Sequence, residues 1–223
     1  MNGCSMMTPQ PCPLCHAENV AHFFADKFRD YLRCQTCHLI FVPTKFHLSL
    51  AAEKSEYDRH QNSPTDFGYR KFLSRLFEPL QQIVSQTGKP SHGLDFGSGP
   101  GPTLSVMFEE VGHTMRIYDP FYAPDKTALD RQYDFVTVSE VVEHFREPAD
   151  NLEQLWSLVK SRGTLGVMTK LALDREAFSR WHYRSDPTHV AFYSRETFQW
   201  LAQRWDAELR FFGEDVILIQ RTQ

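Results

Sequence analysis

The chain has no apolar run near the ~20 residues that a membrane-spanning helix needs, so no membrane partner is expected. It has no surplus of positive charge either. Lys and Arg number 24 against 28 Asp and Glu, the formal net charge is −4, and the sequence pI is about 6.2. Such a balance gives no general attraction to phosphate backbones and disfavours a nucleic-acid partner. Residues 1–10 lack a basic stretch followed by an apolar one, so no secretory signal is expected and a cytoplasmic location is. Internal repeats and low-complexity segments are absent. Cysteine is scarce, at 5 residues, and in a reducing compartment closely paired cysteines are more often metal ligands than disulfides. What is present is ordinary globular material: 41% hydrophobic and 23% charged residues, with 18 Phe to build a core. A length of 223 residues suits one mid-sized domain with a small appendage.

Four of the cysteines form two identical pairs, Cys12-x-x-Cys15 and Cys34-x-x-Cys37. A two-residue gap lets both thiolates of a knuckle turn toward one ion, and two knuckles complete a tetrahedron at ~2.3 Å per Zn–S bond. Four thiolates leave no open position, so the expected zinc is structural. His16 and His38 each follow a knuckle cysteine and compete as ligands, but four thiolates suffice without them. Tyr31-Leu32-Arg33 suits a short strand entering the second knuckle, and Leu39-Ile40-Phe41-Val42 a strand leaving it, stopped by Pro43. Cys4 is left over on an expected flexible terminus.

Four segments are expected: a flexible N-terminus over 1–10, a zinc ribbon over 11–45, a helical connector or lid over 46–90, and an α/β domain over 91–223. In the connector, Phe72, Leu73, Leu76, Phe77 and Leu80 mark one helix face, which Pro79 should kink or restart. Tyr57, His60 and Tyr69 are candidates for a lid. Beyond Ser91, strands expected near Gly93–Phe96, Met115–Tyr118, Tyr133–Ser139 and Thr164–Thr169 alternate with helices near Thr103–Val111, Pro148–Lys160 and Ser194–Trp205. That alternation predicts a parallel sheet. Two closing strands, Glu208–Phe212 and Val216–Gln220, are joined too tightly for a crossover helix and must be antiparallel.

The segment Leu94-Asp95-Phe96-Gly97-Ser98-Gly99-Pro100-Gly101-Pro102 runs from a strand through a glycine-rich turn into a helix. Alternate glycines clear side chains from where a ligand must lie against the backbone. A dinucleotide fingerprint wants a third glycine where Pro102 stands, which disfavours NAD. Asp95 adds a negative charge that repels a pyrophosphate and suits a cationic, amino-bearing ligand. Asp119, at the end of the next strand, is placed to accept hydrogen bonds from both ribose hydroxyls of an adenosine moiety.

Asp95-Phe96-Gly97-Ser98-Gly99-Pro100-Gly101 resembles the cofactor motif of class I S-adenosylmethionine-dependent methyltransferases, and Asp119 matches that family's ribose-binding acid. The stretch Tyr133–Val136 through Ser139-Glu140-Val141-Val142-Glu143-His144-Phe145 resembles its fourth-strand segment. The resemblance runs from about Ser91 to the C-terminus and implies a Rossmann-like α/β sheet with an antiparallel closing hairpin. It implies S-adenosylmethionine as cofactor, held by Asp95, Gly97, Ser98, Gly99, Gly101, Asp119, Ser139 and Glu140. Similar four-cysteine zinc heads occur on some bacterial relatives, including sugar carbon-methyltransferases. One departure is plain: only thirteen residues separate Asp119 from Tyr133, so the family's third strand must be abbreviated.

By the same resemblance a methyl group leaves a sulfonium by in-line displacement, so the enzyme chiefly aligns two reactants. His144, His189 and His182 are the candidates for a base or acceptor ligand, with Glu143 nearby. Trp181, Tyr183, Arg184 and Asp186, with Phe192-Tyr193, give the later loop the composition of a pocket for a polar or anionic acceptor. The expected activity is methylation of a small polar metabolite, a nucleotide sugar included. Alternatives are an RNA or protein methyltransferase that docks its substrate on the ribbon, or a non-catalytic interaction module. Between Pro11 and Pro43 only Lys27, Arg29 and Arg33 face Glu18, Asp26 and Asp30, which does not favour a nucleic-acid grip. No feature speaks for or against self-association.

Overall fold

A computed structural model describes residues 10–59 and 62–222. Residues 1–9 of the expected N-terminal tail, Cys4 among them, and His60 of the expected lid lie outside them. Among the described residues, ten strands build two sheets, accompanied by six α-helices. The larger contains β4 (His92–Phe96), β5 (Thr114–Tyr118), β6 (Tyr133–Ser139), β7 (Val159–Met168), β9 (Ala207–Phe212) and β10 (Val216–Arg221) in the order β5-β4-β6-β7-β10-β9. The first four are parallel, and β10 runs antiparallel to both β7 and β9. This is the expected Rossmann-like sheet with its closing hairpin.

Strand alternation sorts the core into two layers. Val136, Val138, Leu165, Val167, Ile217 and Ile219 point to one face, against Leu152, Leu155 and Trp156 of α4 (Pro148–Ser157) and Phe198 and Leu201 of α6 (Arg195–Arg204). Phe135, Met168, Val216 and Leu218 point to the other, against α2 (Phe67–Val84) and α3 (Thr103–Glu110). Gly166 of β7 lets α2 approach closely, since a Cβ there would stand 3.0 Å from Leu80.

Helix α2 runs through Pro79 unbroken, so of the expected kink or restart the restart does not occur. Breaking a helical hydrogen bond at proline costs about 3 kcal/mol. Leu73, Leu76, Leu80 and Val84 are buried on both sides of the break, and each such burial contributes roughly 1.5–3 kcal/mol. Arg75, whose carbonyl loses its partner, is exposed to water.

The smaller sheet joins β1 (Val20–Ala25), β2 (Asp30–Cys34) and β3 (Ile40–Phe41) to β8 (Ala191–Phe192). The fourth strand therefore comes from the far half of the chain, pairing Ile40 with Phe192 and Phe41 with Ala191. Cys12, Leu14, Cys34, Cys37, Leu39 and Phe41 share one apolar cluster with the large sheet and α4. The connector contributes α1 (Leu50–Tyr57), and α5 (Arg175–Arg180) leads into the loop before β8.

Residues 120–132 form no strand, as the short spacing implied. A bridge between Asp119 and Ala123 and a 3-10 turn over Lys126–Leu129 take its place. Arg116 on β5 reaches over the sheet rim to Asp125 at 3.2 Å and to Thr127 at 2.9 Å. No helix among the described residues is long and apolar enough to cross a membrane.

Candidate active site

The glycine-rich turn sits where β4 meets α3, at the carboxyl ends of the parallel strands. Gly97 adopts a φ of +76°, and a Cβ there would lie 2.4 Å from Val141 Cγ2. Gly99 is also left-handed, and its N–H donates to Asp119 Oδ2 at 3.0 Å. Oδ1 of the same aspartate accepts from the amides of Phe121 and Tyr122 at 2.8 and 3.0 Å. The acid thus braces the turn against the end of β5, and each of its oxygens keeps further accepting capacity.

A cavity of about 620 Å³ opens above this turn. Gly97, Ser98, Gly99, Asp119, Ser139, Glu140, His144 and His189, all anticipated from the sequence, line it together. Three anticipated residues do not. Asp95 lies beneath the turn, its carboxylate accepting from Thr137 Oγ1 at 2.8 Å and Ser105 Oγ at 3.1 Å. Burial pushes it up to about 6. Gly101 faces the connector, where a Cβ would stand 2.1 Å from the Asn62 carbonyl oxygen. The bare position therefore makes room for the neighbouring connector backbone at Asn62. His182 is exposed, 3.1 Å from Lys170 Nζ and outside the lining, because the 3-10 turn over His182–Ser185 aims it at solvent.

Two buried side-chain atoms at the cavity have no hydrogen-bond partner: Ser98 Oγ and Glu140 Oε1. An unmet buried polar atom costs about 1–3 kcal/mol, so this pair is built for a ligand that meets both. Glu140 is further held at a left-handed φ of +53°, fixed by its N–H to the Met168 carbonyl at 2.8 Å. Burial raises its carboxyl to about 7. Below it Glu143, wholly buried and pushed by burial to about 8, accepts from the Tyr183 hydroxyl and from Thr169 Oγ1.

His144 and His189 stack edge to face with ring centres 4.7 Å apart. His144 Nδ1 donates to the Thr188 carbonyl at 3.2 Å, and His189 Nδ1 to the Tyr183 carbonyl at 2.7 Å. Carbonyls only accept, so both protons sit on Nδ1 and both Nε2 lone pairs are free. Burial lowers His144 to about 3 and His189 to about 4, so both are neutral at pH 7. Glu143 and the two imidazoles lie close enough to hold a cation, but both oxygens of Glu143 are occupied by Tyr183 and Thr169.

The sequence missed Glu53, Asn62 and Phe121 in the lining. Glu53 accepts from Tyr57 Oη at 2.8 Å and pairs with Arg146, which ties α1 over the cavity mouth. Only the tertiary fold brings these positions to the site. Tyr57, suspected from composition alone, packs its ring on His144 with centres 5.2 Å apart.

In the ribbon, Cys12 Sγ lies 3.4 Å from Cys37 Sγ, and Cys15 Sγ lies 3.4 Å from Cys34 Sγ. Main-chain amides of Leu14, Thr36 and Cys37 donate to these sulfurs, as thiolate knuckles require. The four cysteines form a group able to hold a metal ion. His16 and His38 supply the left-handed residue after each knuckle and are not part of that group.

Comparison with solved structures finds an O-methyltransferase family protein from Burkholderia thailandensis at 13% identity and a TM-score of 0.49, covering 76% of this chain and 62% of that one. This chain thus spans less than two thirds of that protein's length. A SAM-dependent methyltransferase from Archaeoglobus fulgidus matches at 16% identity and a TM-score of 0.48, over 70% of this chain and 100% of that one. The 1,6-didemethyltoxoflavin-N1-methyltransferase of B. thailandensis, with bound S-adenosylhomocysteine, matches at 14% identity and 0.45, over 90% and 98%. No curated protein sequence matches. The methyltransferase-domain family model matches residues 68–210, from α2 through the glycine turn into β9, and the chain belongs to that family.

Proposed function

We propose that the protein transfers a methyl group from S-adenosylmethionine to a small polar acceptor bearing no phosphate. The observation that carries this reading is the pair of unmet buried atoms, Ser98 Oγ within the glycine turn and Glu140 Oε1 just beyond the end of β6. A hydroxyl and a carboxylate left waiting there suit the amino-acid end of a cationic nucleoside. Asp119 keeps lone pairs for ribose hydroxyls, with Phe121 beside it as an apolar wall.

When bound, the cofactor supplies an electrophilic methyl group on a positively charged sulfur. The chain's own residues do the rest. Gly97 and Gly99 hold the floor bare, and Glu140 offers the countercharge. Tyr57 and α1, tied down by Arg146, exclude water from above. The free Nε2 atoms of His144 and His189 accept hydrogen bonds from the acceptor and orient its nucleophilic atom. Alignment of this kind supplies about 7–11 kcal/mol of a methyl-transfer barrier. Among the described residues no Lys or Arg lines the cavity, whereas Glu53, Asp119, Glu140 and Asp186 do. That charge favours a neutral or amine-bearing acceptor over an anionic one, so a nucleotide sugar is disfavoured. For the ribbon we propose a structural zinc on Cys12, Cys15, Cys34 and Cys37.

Titration calorimetry with S-adenosylmethionine and S-adenosylhomocysteine tests the cofactor. Binding that is weakened by Glu140→Gln is expected, and no heat of binding would remove the reading. Incubating labelled cofactor with cell extract tests the acceptor. Label in the small-molecule fraction is expected, and label confined to RNA or protein would overturn it.

A further inference from the structure

The ribbon hairpin sends one cation deep into the far half of the molecule. Arg29, between β1 and β2, is buried although it carries a full charge. Its Nε donates to Tyr31 Oη at 2.9 Å. The other two nitrogens reach four main-chain carbonyls of one loop. NH1 donates to Pro187 at 3.3 Å and His189 at 3.0 Å, and NH2 donates to Asp186 at 2.7 Å and to Arg184. The loop over residues 184–189 is thus curled around the guanidinium, its carbonyls turned inward.

A planar fork of five donors is the one side chain that can satisfy so many acceptors at once. Without the cation, the Pro187 and His189 carbonyls would have no donor among the described residues, and those of Arg184 and Asp186 would keep only Tyr31 Oη at 3.2 Å and the His189 amide at 3.3 Å. Asp26 completes the clamp from the ribbon side. It accepts from the Arg29 amide at 2.9 Å and from Tyr31 Oη at 3.0 Å, and it pairs with Arg184 at 2.5 Å.

The same loop carries the site. His189 is its last residue, and Asp186 also lines the cavity. The Thr188 carbonyl fixes the His144 ring and the Tyr183 carbonyl fixes the His189 ring. The Val190 amide then donates to the Glu143 carbonyl at 2.8 Å, while its own carbonyl accepts from Val42 of the ribbon at 2.9 Å.

We propose that Arg29 is a positioning residue, through which the cysteine ribbon templates the 184–189 loop and fixes the orientation of His144 and His189. The ribbon is on this account neither a bare folding staple nor a docking platform but the support behind the loop that walls the acceptor half of the site. Naming that half for the acceptor rests on the proposed function, whereas the claim about the two rings does not.

The test uses the full chain with its metal. Long-range proton–nitrogen spectra report the two imidazoles, assigned through His144→Gln and His189→Gln, and hydrogen exchange reports the loop amides. Arg29→Ala is expected to move both ring signals and to speed amide exchange over 184–190 by about tenfold or more. Guanidinium ion at millimolar concentration, with urea as control, is expected to restore the signals. S-adenosylmethionine affinity should stay within about twofold, since Arg29 touches no part of the cofactor half. Arg29→Lys keeps the stem and the charge, and it decides the matter if truncation unfolds the chain. An ammonium cannot span four carbonyls, so it should still displace the ring signals. Rings and loop unmoved in Arg29→Lys would overturn the proposal while leaving cofactor binding untouched. Failure of wild-type protein to bind cofactor would sink the proposed function and leave this test standing.

Discussion

Replacing Asp95 by Asn gives the sharpest quantitative check on the turn's foundation. The carboxyl is wholly enclosed, and burial lifts it from an ordinary 3.8 to about 6, against the two hydroxyls that donate to it. A carboxyl raised in the folded state weakens folding as it ionises. The penalty is absent below 3.8, grows as pH rises through about 6, and is constant above. At ~1.36 kcal/mol for each pH unit between the two values, it reaches about 3 kcal/mol. Asn fills the same volume, its oxygen still accepts from Thr137, and its NH2 group donates to the Ser105 hydroxyl, which turns to accept, so the variant lacks this term. Every other group titrates in both proteins and cancels in the difference. Thermal unfolding from pH 4 to pH 8 should show Asp95→Asn gaining on the parent by about 3 kcal/mol, roughly 6–12 °C for a chain of this size. Parallel curves across that range would refute the buried, ionising Asp95 described here.

Removing Asp119 by substitution with Ala strips the amides of Gly99, Phe121 and Tyr122 of their acceptor, so cofactor affinity should fall by about tenfold or more. Unchanged titration heats would take the residue out of the site. Gly101→Ala puts a methyl group 2.1 Å from the Asn62 carbonyl and must displace backbone, at a cost of about 1–3 kcal/mol in denaturant unfolding. An unaltered midpoint would show that the connector does not pass there. Cys34→Ser should lower zinc content by mass spectrometry and melting temperature together. Full zinc content would refute the four-thiolate assignment.

The parts of this molecule readable in its sequence are those governed by local chemistry. Alternation of apolar strands with capped helices announced the sheet, and the tight Gly213 turn dictated an antiparallel end. Cysteines paired with two residues between them can face one point only if the chain turns, and it does. Placement was illegible where distant segments decide. Asp95 and Gly101 belong to the turn by position, but one points down into the sheet and the other toward Asn62. His182 and His189 look alike in sequence. The 3-10 turn sends one to solvent, and the Arg29-bound loop carries the other inward. Two-residue β8 has no periodicity to read, and its partner lies some 150 residues earlier. Nor does anything local to Arg29 mark it as more than one charge on a hairpin.

The shortened stretch after Asp119 leaves β5 as the outermost strand, with an unshared row of backbone donors and acceptors along the rim. Such borders invite a second molecule to zip on and seed aggregates. Here Arg116 draws the Asp125–Thr127 segment across that border like a strap, and Ala128 beneath it is sealed from solvent, with Tyr133 Oη donating to its carbonyl at 2.7 Å. The strap keeps the border from serving as a template, so the fold does without a further strand beside Asp119 and is not sticky there.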